Sequence, residues 1–180
     1  MPLVVQSDQG GVAGANSYLS VADFDAYHAD RSNSYPQGTT TAHKESALRI
    51  ATDYLDFRFR FAGWRLTREQ STQWPRVDVY DLDDFYVEGI PTEIKDATAE
   101  YALRLLPAIV AGSSATLIAD PTRDASGRRV RVSEYELEGK IRERVEFVDG
   151  SAYELPEYPN ADMKLRRRGL VRAGRELVRA

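Results

Sequence analysis

The feature that most constrains the fold is an apolar pattern in residues 39–76. Apolar side chains recur there at three- and four-residue spacing, as they do in a helix with one buried face. A threonine at the start can cap this helix, because its hydroxyl accepts a hydrogen bond from an unpaired backbone N–H. We therefore expect a core helix over about residues 41–60. Its buried stripe is predicted to hold Ala47, Leu48, Ile50, Ala51, Tyr54, Leu55 and Phe57.

Both tryptophans of the chain, Trp64 and Trp74, follow this helix. A buried indole contributes a large apolar area, and tryptophan is highly buried on average in folded proteins. We therefore expect a loop that folds back on the helix and is held there by both indole rings. The residues predicted to form the structural core are Tyr54, Trp64, Trp74 and Tyr101.

Caps, breakers and periodicity predict three further helices and one hairpin. The helices are expected over about residues 21–31 (capped by Ser20), 91–111 (beginning at Pro91, with Pro107 inside) and 160–168 (ended by Gly169). Apolar and charged residues alternate on both sides of Gly139, which predicts an antiparallel β-hairpin at residues 128–148.

Together these elements predict a mainly α-helical protein. We expect a small helical bundle with a long loop at residues 62–89, a protruding β-hairpin and an extended C-terminal tail. A chain of 180 residues is expected to form one domain. Within it we assign a helical core to residues 15–112, the hairpin to residues 128–148 and a docking tail to residues 160–180.

The charge is unevenly distributed along the chain. Residues 1–120 carry 10 basic and 17 acidic side chains, whereas residues 121–180 carry 14 basic and 11 acidic ones. An acidic body with a basic end predicts contact with an acidic partner, either nucleic acid or a protein surface. The chain has no cysteine, no leader-like N-terminus and no long apolar run, so we expect cytosolic synthesis without disulfides or a membrane span.

No arrangement of residues in the sequence indicates catalysis. The two histidines, His28 and His43, lie on predicted helices with no nucleophile at a recognisable spacing. The acidic stretch at residues 78–84 lacks the ligand spacing of a calcium loop. We therefore expect no enzymatic activity, no catalytic residue, no metal and no cofactor.

Three spaced motifs resemble a known family. They are residues 14–22 (GANSYLSVA) followed by Tyr27-His28; residues 51–59 (ATDYLDFRF) followed by Trp64 and Gln73-Trp74-Pro75-Arg76; and Ile90-Pro91 followed by residues 94–103 (IKDATAEYAL). In order and spacing they resemble tailed-bacteriophage virion proteins of the DnaT-like single-stranded-DNA-binding family. These proteins are similar in structure to head–tail connectors, also called adaptors. The resemblance covers roughly residues 10–110.

The resemblance implies a structural virion protein at the neck between head and tail. It implies a ring, commonly of twelve copies, that extends the DNA channel below the portal and gives the tail a docking surface. The implied partners are other copies of the chain, the portal protein, a tail-side connector or stopper protein, and genomic double-stranded DNA in the channel. No membrane partner is implied.

The alternative function is single-stranded DNA binding, as the family label says. That function needs a basic groove with aromatic rings on which bases stack. Tyr80, Phe85 and Tyr86 stand among aspartates, and the basic tail holds no aromatic residue. Basic charge and aromatic rings therefore occupy different segments, which favours the connector.

The connector hypothesis assigns two groups of residues to interfaces. Asp81, Asp83 and Asp84 are predicted to face the channel, where like charge keeps DNA from adhering. The tail is predicted to dock on the portal or on a neighbouring subunit, because arginine suits bidentate contact with carboxylates. A solvated chain end is the alternative for the tail. The residues assigned to docking are Arg166, Arg167, Arg168, Leu170, Val171, Arg172 and Arg175.

Overall fold

The computed structural model of the protein describes residues 1–112, 130–137, 141–147 and 158–171. The elements in these residues are α1 (Val21–Ala29), a 3₁₀ turn (Tyr35–Gly38), α2 (Thr41–Arg58), β1 (Trp64–Arg65), β2 (Arg76–Val77), α3 (Thr92–Val110), β3 (Val130–Leu137), β4 (Ile141–Phe147) and α4 (Pro159–Arg167). The protein is mainly helical with a small antiparallel hairpin, which confirms the predicted fold class. No described helix is long and apolar enough to cross a membrane.

α1 and α2 begin where a short polar side chain satisfies one of the first N–H groups of the helix. The Ser20 hydroxyl accepts a hydrogen bond from the backbone N–H of Asp23 at 3.1 Å, and Thr40 caps α2 in the same way through His43. α3 begins one residue later than predicted, because Pro91 has extended backbone and acts as the N-cap. α3 then continues through Pro107 to Val110.

The core lies between α2 and α3, and α4 packs on α3. The apolar stripe of α2 is buried from Ala47 to Leu55, apart from a partly exposed Ile50. Phe57 is 60% exposed, so its predicted burial is wrong. At the end of α2 the buried positions are taken by Phe59 and Phe61, which follow the helix.

A buried ion pair ties α4 to α2. The Arg58 guanidinium donates to the Asp162 carboxylate at 2.8 Å, and both side chains are almost completely buried. Tyr101 of α3 donates its hydroxyl to the same carboxylate. Burial raises the pKa of Tyr101, so this hydroxyl keeps its proton. One carboxylate therefore joins three helices within the core.

Strands β3 and β4 pair antiparallel, with Leu137 opposite Ile141 at one end and Val130 opposite Phe147 at the other. The register shifts by one residue between Val130 and Val132. This hairpin belongs to one compact unit of the chain, whereas residues 1–112 and 158–171 belong to another. The hairpin was predicted from alternation alone, and its existence is confirmed.

The loop predicted at residues 62–89 contains regular structure. β1 and β2 pair antiparallel, with Trp64 opposite Val77. Next along the chain, a backbone bond from Val87 N to Val79 O and a bridge between Tyr80 and Tyr86 close a tight turn. Two short antiparallel turns therefore replace the irregular loop that was expected.

Candidate functional site

The side chain of Trp64 is exposed, which corrects the prediction that it lies in the core. It is 66% exposed, whereas Trp74 is completely buried together with Tyr54 and Tyr101. The core position beside β1 is filled by Trp74, whose ring lies 5.7 Å from that of Phe61. A second indole has no place there, and Trp64 lies on the surface of the two-stranded ribbon.

The exposed indole lies in a segment without acidic residues. Residues 57–68 contain four arginines and no aspartate or glutamate. Of these arginines Arg58 is buried in the core, while the other three are exposed and form no ion pair within the described residues. We call five of the exposed side chains of this segment the basic ribbon, namely Arg60, Trp64, Arg65, Leu66 and Arg68.

The turn that presents Trp64 is held by one glycine and one arginine. Gly63 has φ +63°, and a Cβ there would lie 2.2 Å from the carbonyl oxygen of Val77, so only glycine fits. The Arg76 guanidinium donates from Nε to the carbonyl of Ala62 at 2.6 Å and from Nη2 to that of Gly63 at 2.8 Å. The backbone on which the indole stands is therefore fixed from the opposite strand.

A half-buried carboxyl network is linked to this turn through Gln73 and Arg76. Asp56 accepts hydrogen bonds from the Tyr18 hydroxyl at 2.5 Å and from the backbone N–H of Gln73 at 2.9 Å. The Tyr18 hydroxyl in turn accepts from the backbone N–H of Trp74 at 3.1 Å. Burial, with a smaller contribution from Asp53, raises the pKa of Asp56 to about 7. Gln73 continues the network, since its carbonyl accepts from Arg76 at 3.2 Å.

A second exposed group carries the opposite charge. We call it the acidic tip, and it comprises Tyr80, Leu82, Asp83, Asp84, Phe85 and Tyr86. Leu82 and Phe85 are each 70% exposed. The rings of Tyr80 and Tyr86 meet edge to face at 5.5 Å and form the base of the turn.

The acidic tip is built by its own backbone around Asp81. The Asp81 carboxylate accepts from the N–H groups of Phe85 at 2.9 Å and Asp83 at 3.0 Å, and these bonds lower its pKa. Asp84 has φ +62°, a conformation that aspartate tolerates better than most residues. Of the three residues predicted to face a channel, Asp83 and Asp84 are exposed, while Asp81 is committed to the turn.

The residues predicted to dock on a partner do not form one surface. Leu170 is completely buried in the core of its own chain, which corrects its assignment to an interface. Arg168 also has partners within the chain: it donates to Glu93 at 2.8 Å and lies 3.6 Å from Asp81. Val171 forms a bridge with Phe61, whereas Arg166 and Arg167 are exposed. Arg172 and Arg175 lie outside the described residues.

The described part of the chain contains no group of three or more residues able to hold a metal ion. His28 is buried between Phe24 and Tyr27, with ring centroids at 4.7 Å and 4.9 Å. Burial lowers its pKa, so it is neutral near pH 7. These contacts make His28 a packing residue.

Sequence reasoning missed the basic ribbon because it placed Trp64 in the core. The signal was present nevertheless, since twelve consecutive residues without a carboxylate surround an indole in a chain of net negative charge. Exposure of Trp64 brings an aromatic ring and arginines together on one short segment. From the sequence alone we had placed the aromatic rings and the basic charge on different parts of the molecule.

Comparison with known protein families identifies a relationship that spans most of the chain. The family model described as "Putative DnaT-like ssDNA binding protein" matches residues 1–167. No curated protein and no solved structure matches the chain.

Proposed function

This chain belongs to the DnaT-like family of single-stranded-DNA-binding proteins, and from that premise we propose that it binds single-stranded DNA through the basic ribbon. The family description supports this function more directly than it supports the connector predicted from the sequence. The observation that carries the proposal is the 66% exposure of Trp64 beside arginines.

The chemistry of the basic ribbon suits single strands. An unpaired base offers a flat face that stacks on an indole, and stacking of this kind tolerates any sequence. Arg60, Arg65 and Arg68 supply charge for the phosphates on either side, with no carboxylate of the described residues paired to them. The fixed turn at Gly63 presents the indole on ordered backbone, so binding has to order only side chains there. Binding is thus expected to be independent of sequence and sensitive to salt.

Titration of a fluorescently labelled oligo-dT with the full-length protein tests this proposal. Trp64→Ala is expected to weaken binding about fivefold or more, because removal of one base-stacking ring costs about 1–3 kcal/mol. Double substitution of Arg65 and Arg68 by alanine is expected to reduce the salt dependence. The log–log slope should fall by about 0.7 for each phosphate that an arginine no longer neutralises.

Phe85→Ala is the matched control. Phe85 is also an exposed aromatic residue, but it stands beside Asp83 and Asp84. Its substitution should leave the affinity for oligo-dT undiminished. Equal losses from Trp64→Ala and Phe85→Ala, or none from either, would show that the basic ribbon is not the DNA site.

A second function, the head–tail connector, is favoured by the acidic tip. Leu82 and Phe85 are each 70% exposed, as expected of anchors that fit a pocket on another protein. In this proposal the chain forms a ring, contacts the portal and a tail-side protein, surrounds double-stranded DNA and has no enzymatic activity. Antibody labelling of purified particles tests it: label at the neck supports the connector, and particles without the protein contradict it.

A further inference from the structure

We propose that the acidic tip of one copy docks on the basic ribbon of a second copy, so that self-association and single-stranded DNA compete for the same surface. Only the competition rests on the proposed function. The docking itself rests on the two surfaces and stands or falls without DNA.

The acidic tip offers the same chemistry as a short single strand. It exposes a flat ring, Phe85, and an aliphatic side chain, Leu82, at 70% each. The carboxylates of Asp83 and Asp84 flank them, as phosphates flank an unstacked base. A surface that binds bases and phosphates through an indole and arginines is therefore suited to bind this tip.

The tip is held in one conformation before any contact forms. Two N–H bonds to the Asp81 carboxylate and the bond from Asp81 N to Phe85 O at 3.0 Å close the turn. Leu82 is supported from the other side, since a Cβ on Gly169 would lie 2.8 Å from its Cδ2. The backbone of the acidic tip therefore loses little conformational entropy on docking, which favours association.

Charge complementarity indicates that the partner bound at the basic ribbon is a second copy of the chain. The basic ribbon has three arginines without a carboxylate partner in the described residues, and the tip has two exposed aspartates without an ion pair there. Both surfaces belong to every copy, so each copy can offer its tip to the ribbon of another. Contacts between unlike surfaces of identical chains are of the heterologous type.

The experiment is a complementation test in trans, read by sedimentation equilibrium of the full-length protein. The tip variant carries Asp83→Lys and Phe85→Ser; the ribbon variant carries Arg65→Glu and Arg68→Glu. The wild type is expected to associate at low salt and to dissociate as salt rises. Each variant alone should associate about tenfold more weakly or worse, because like charges then meet. An equimolar mixture should recover a complex, since one variant keeps its ribbon and the other its tip.

Several outcomes overturn the docking: a wild type that stays monomeric at low salt, a variant that associates as the wild type does, or a mixture that recovers nothing. Thermal melts of both variants, read by circular dichroism, verify that they are folded. A misfolded variant is replaced by its milder form, Asp83→Asn or Arg68→Ser, under the same criteria.

Addition of oligo-dT separates this inference from the proposed function. If both hold, oligo-dT dissociates the wild-type complex, and the tip variant binds oligo-dT at least as tightly as the wild type. If the mixture recovers a complex but oligo-dT binds to no form of the protein, docking stands and the DNA function fails. If the mixture recovers a complex and oligo-dT binds without changing association, docking stands, but the competition and the assignment of DNA to the basic ribbon are wrong.

Discussion

The basic ribbon and the acidic tip are both short antiparallel turns that expose aromatic side chains, yet their charges are opposite. Trp64 stands among arginines, and Phe85 stands among aspartates. Exposure of an aromatic ring therefore does not by itself identify a partner. The charges within a few residues of the ring decide whether phosphates are attracted or repelled.

The two surfaces also differ in what holds them. The acidic tip is closed by the Asp81 carboxylate and its own backbone. The basic ribbon depends on Gly63 and on the opposite strand, where Arg76 is linked through Gln73 to Asp56. Substitutions in the core should therefore disturb the conformation of the basic ribbon more than that of the acidic tip.

The largest effect on stability is expected from Trp74→Ala, which removes the buried indole that packs against Phe61. Large-to-small substitution of a completely buried aromatic residue costs about 3–5 kcal/mol of unfolding free energy. Urea denaturation measures it. Trp74→Phe is the milder control, because the indole N–H has no hydrogen-bond partner within the described residues to lose. A transition unchanged by Trp74→Ala would contradict the dependence of the ribbon on the core.

The next effect is expected from Gly63→Ala, which targets the ribbon alone. Its Cβ would meet the Val77 carbonyl at 2.2 Å, in addition to the cost of a positive φ. Gly14→Ala is the matched control, because Gly14 has φ +68° and open space around it. The control should lose about 1–2 kcal/mol and Gly63→Ala clearly more, together with its affinity for oligo-dT. Equal losses would show that the Gly63 turn relaxes freely.

A smaller effect is expected from pH, acting through Asp56. The folded carboxyl has a pKa of about 7, against 3.8 for the unfolded one, so the folded state binds more protons between these values. The contribution of Asp56 to stability therefore falls as pH rises through this window and is constant above it. Relative to Asp56→Asn, the wild type should lose stability between about pH 4 and pH 7. A difference that stays constant across that range would contradict the raised pKa.

The smallest effect is expected from the two exposed rings themselves. Trp64→Ala and Phe85→Ala should each change the unfolding free energy by no more than about 0.5 kcal/mol, since neither residue packs in the core. The two variants should differ in oligo-dT binding and not in stability. A loss of stability from Trp64→Ala comparable to that of Trp74→Ala would show that Trp64 packs in the core.

The sequence predicted best what depends on local chemistry. Ser20 and Thr40 cap their helices as expected, and alternation around Gly139 predicted the hairpin. It failed where burial depends on distant partners. Trp64 and Trp74 are the same residue type on the same segment, and no local pattern shows that it is Trp74 that packs against Phe61 in the core. Leu170 was assigned to an interface because no local signal shows that β-type pairing of Phe61 with Val171 brings it into the core.

The Arg58–Asp162 pair also has a consequence for the order of synthesis. The two residues are 104 positions apart, so a ribosome completes α1, α2, α3 and the hairpin before the carboxylate exists. Until then Arg58 and Tyr101 lack their shared acceptor, and burial of the guanidinium without this carboxylate would cost several kcal/mol. The helical core of the nascent chain is therefore expected to stay open to water and to close only after α4 has been synthesised.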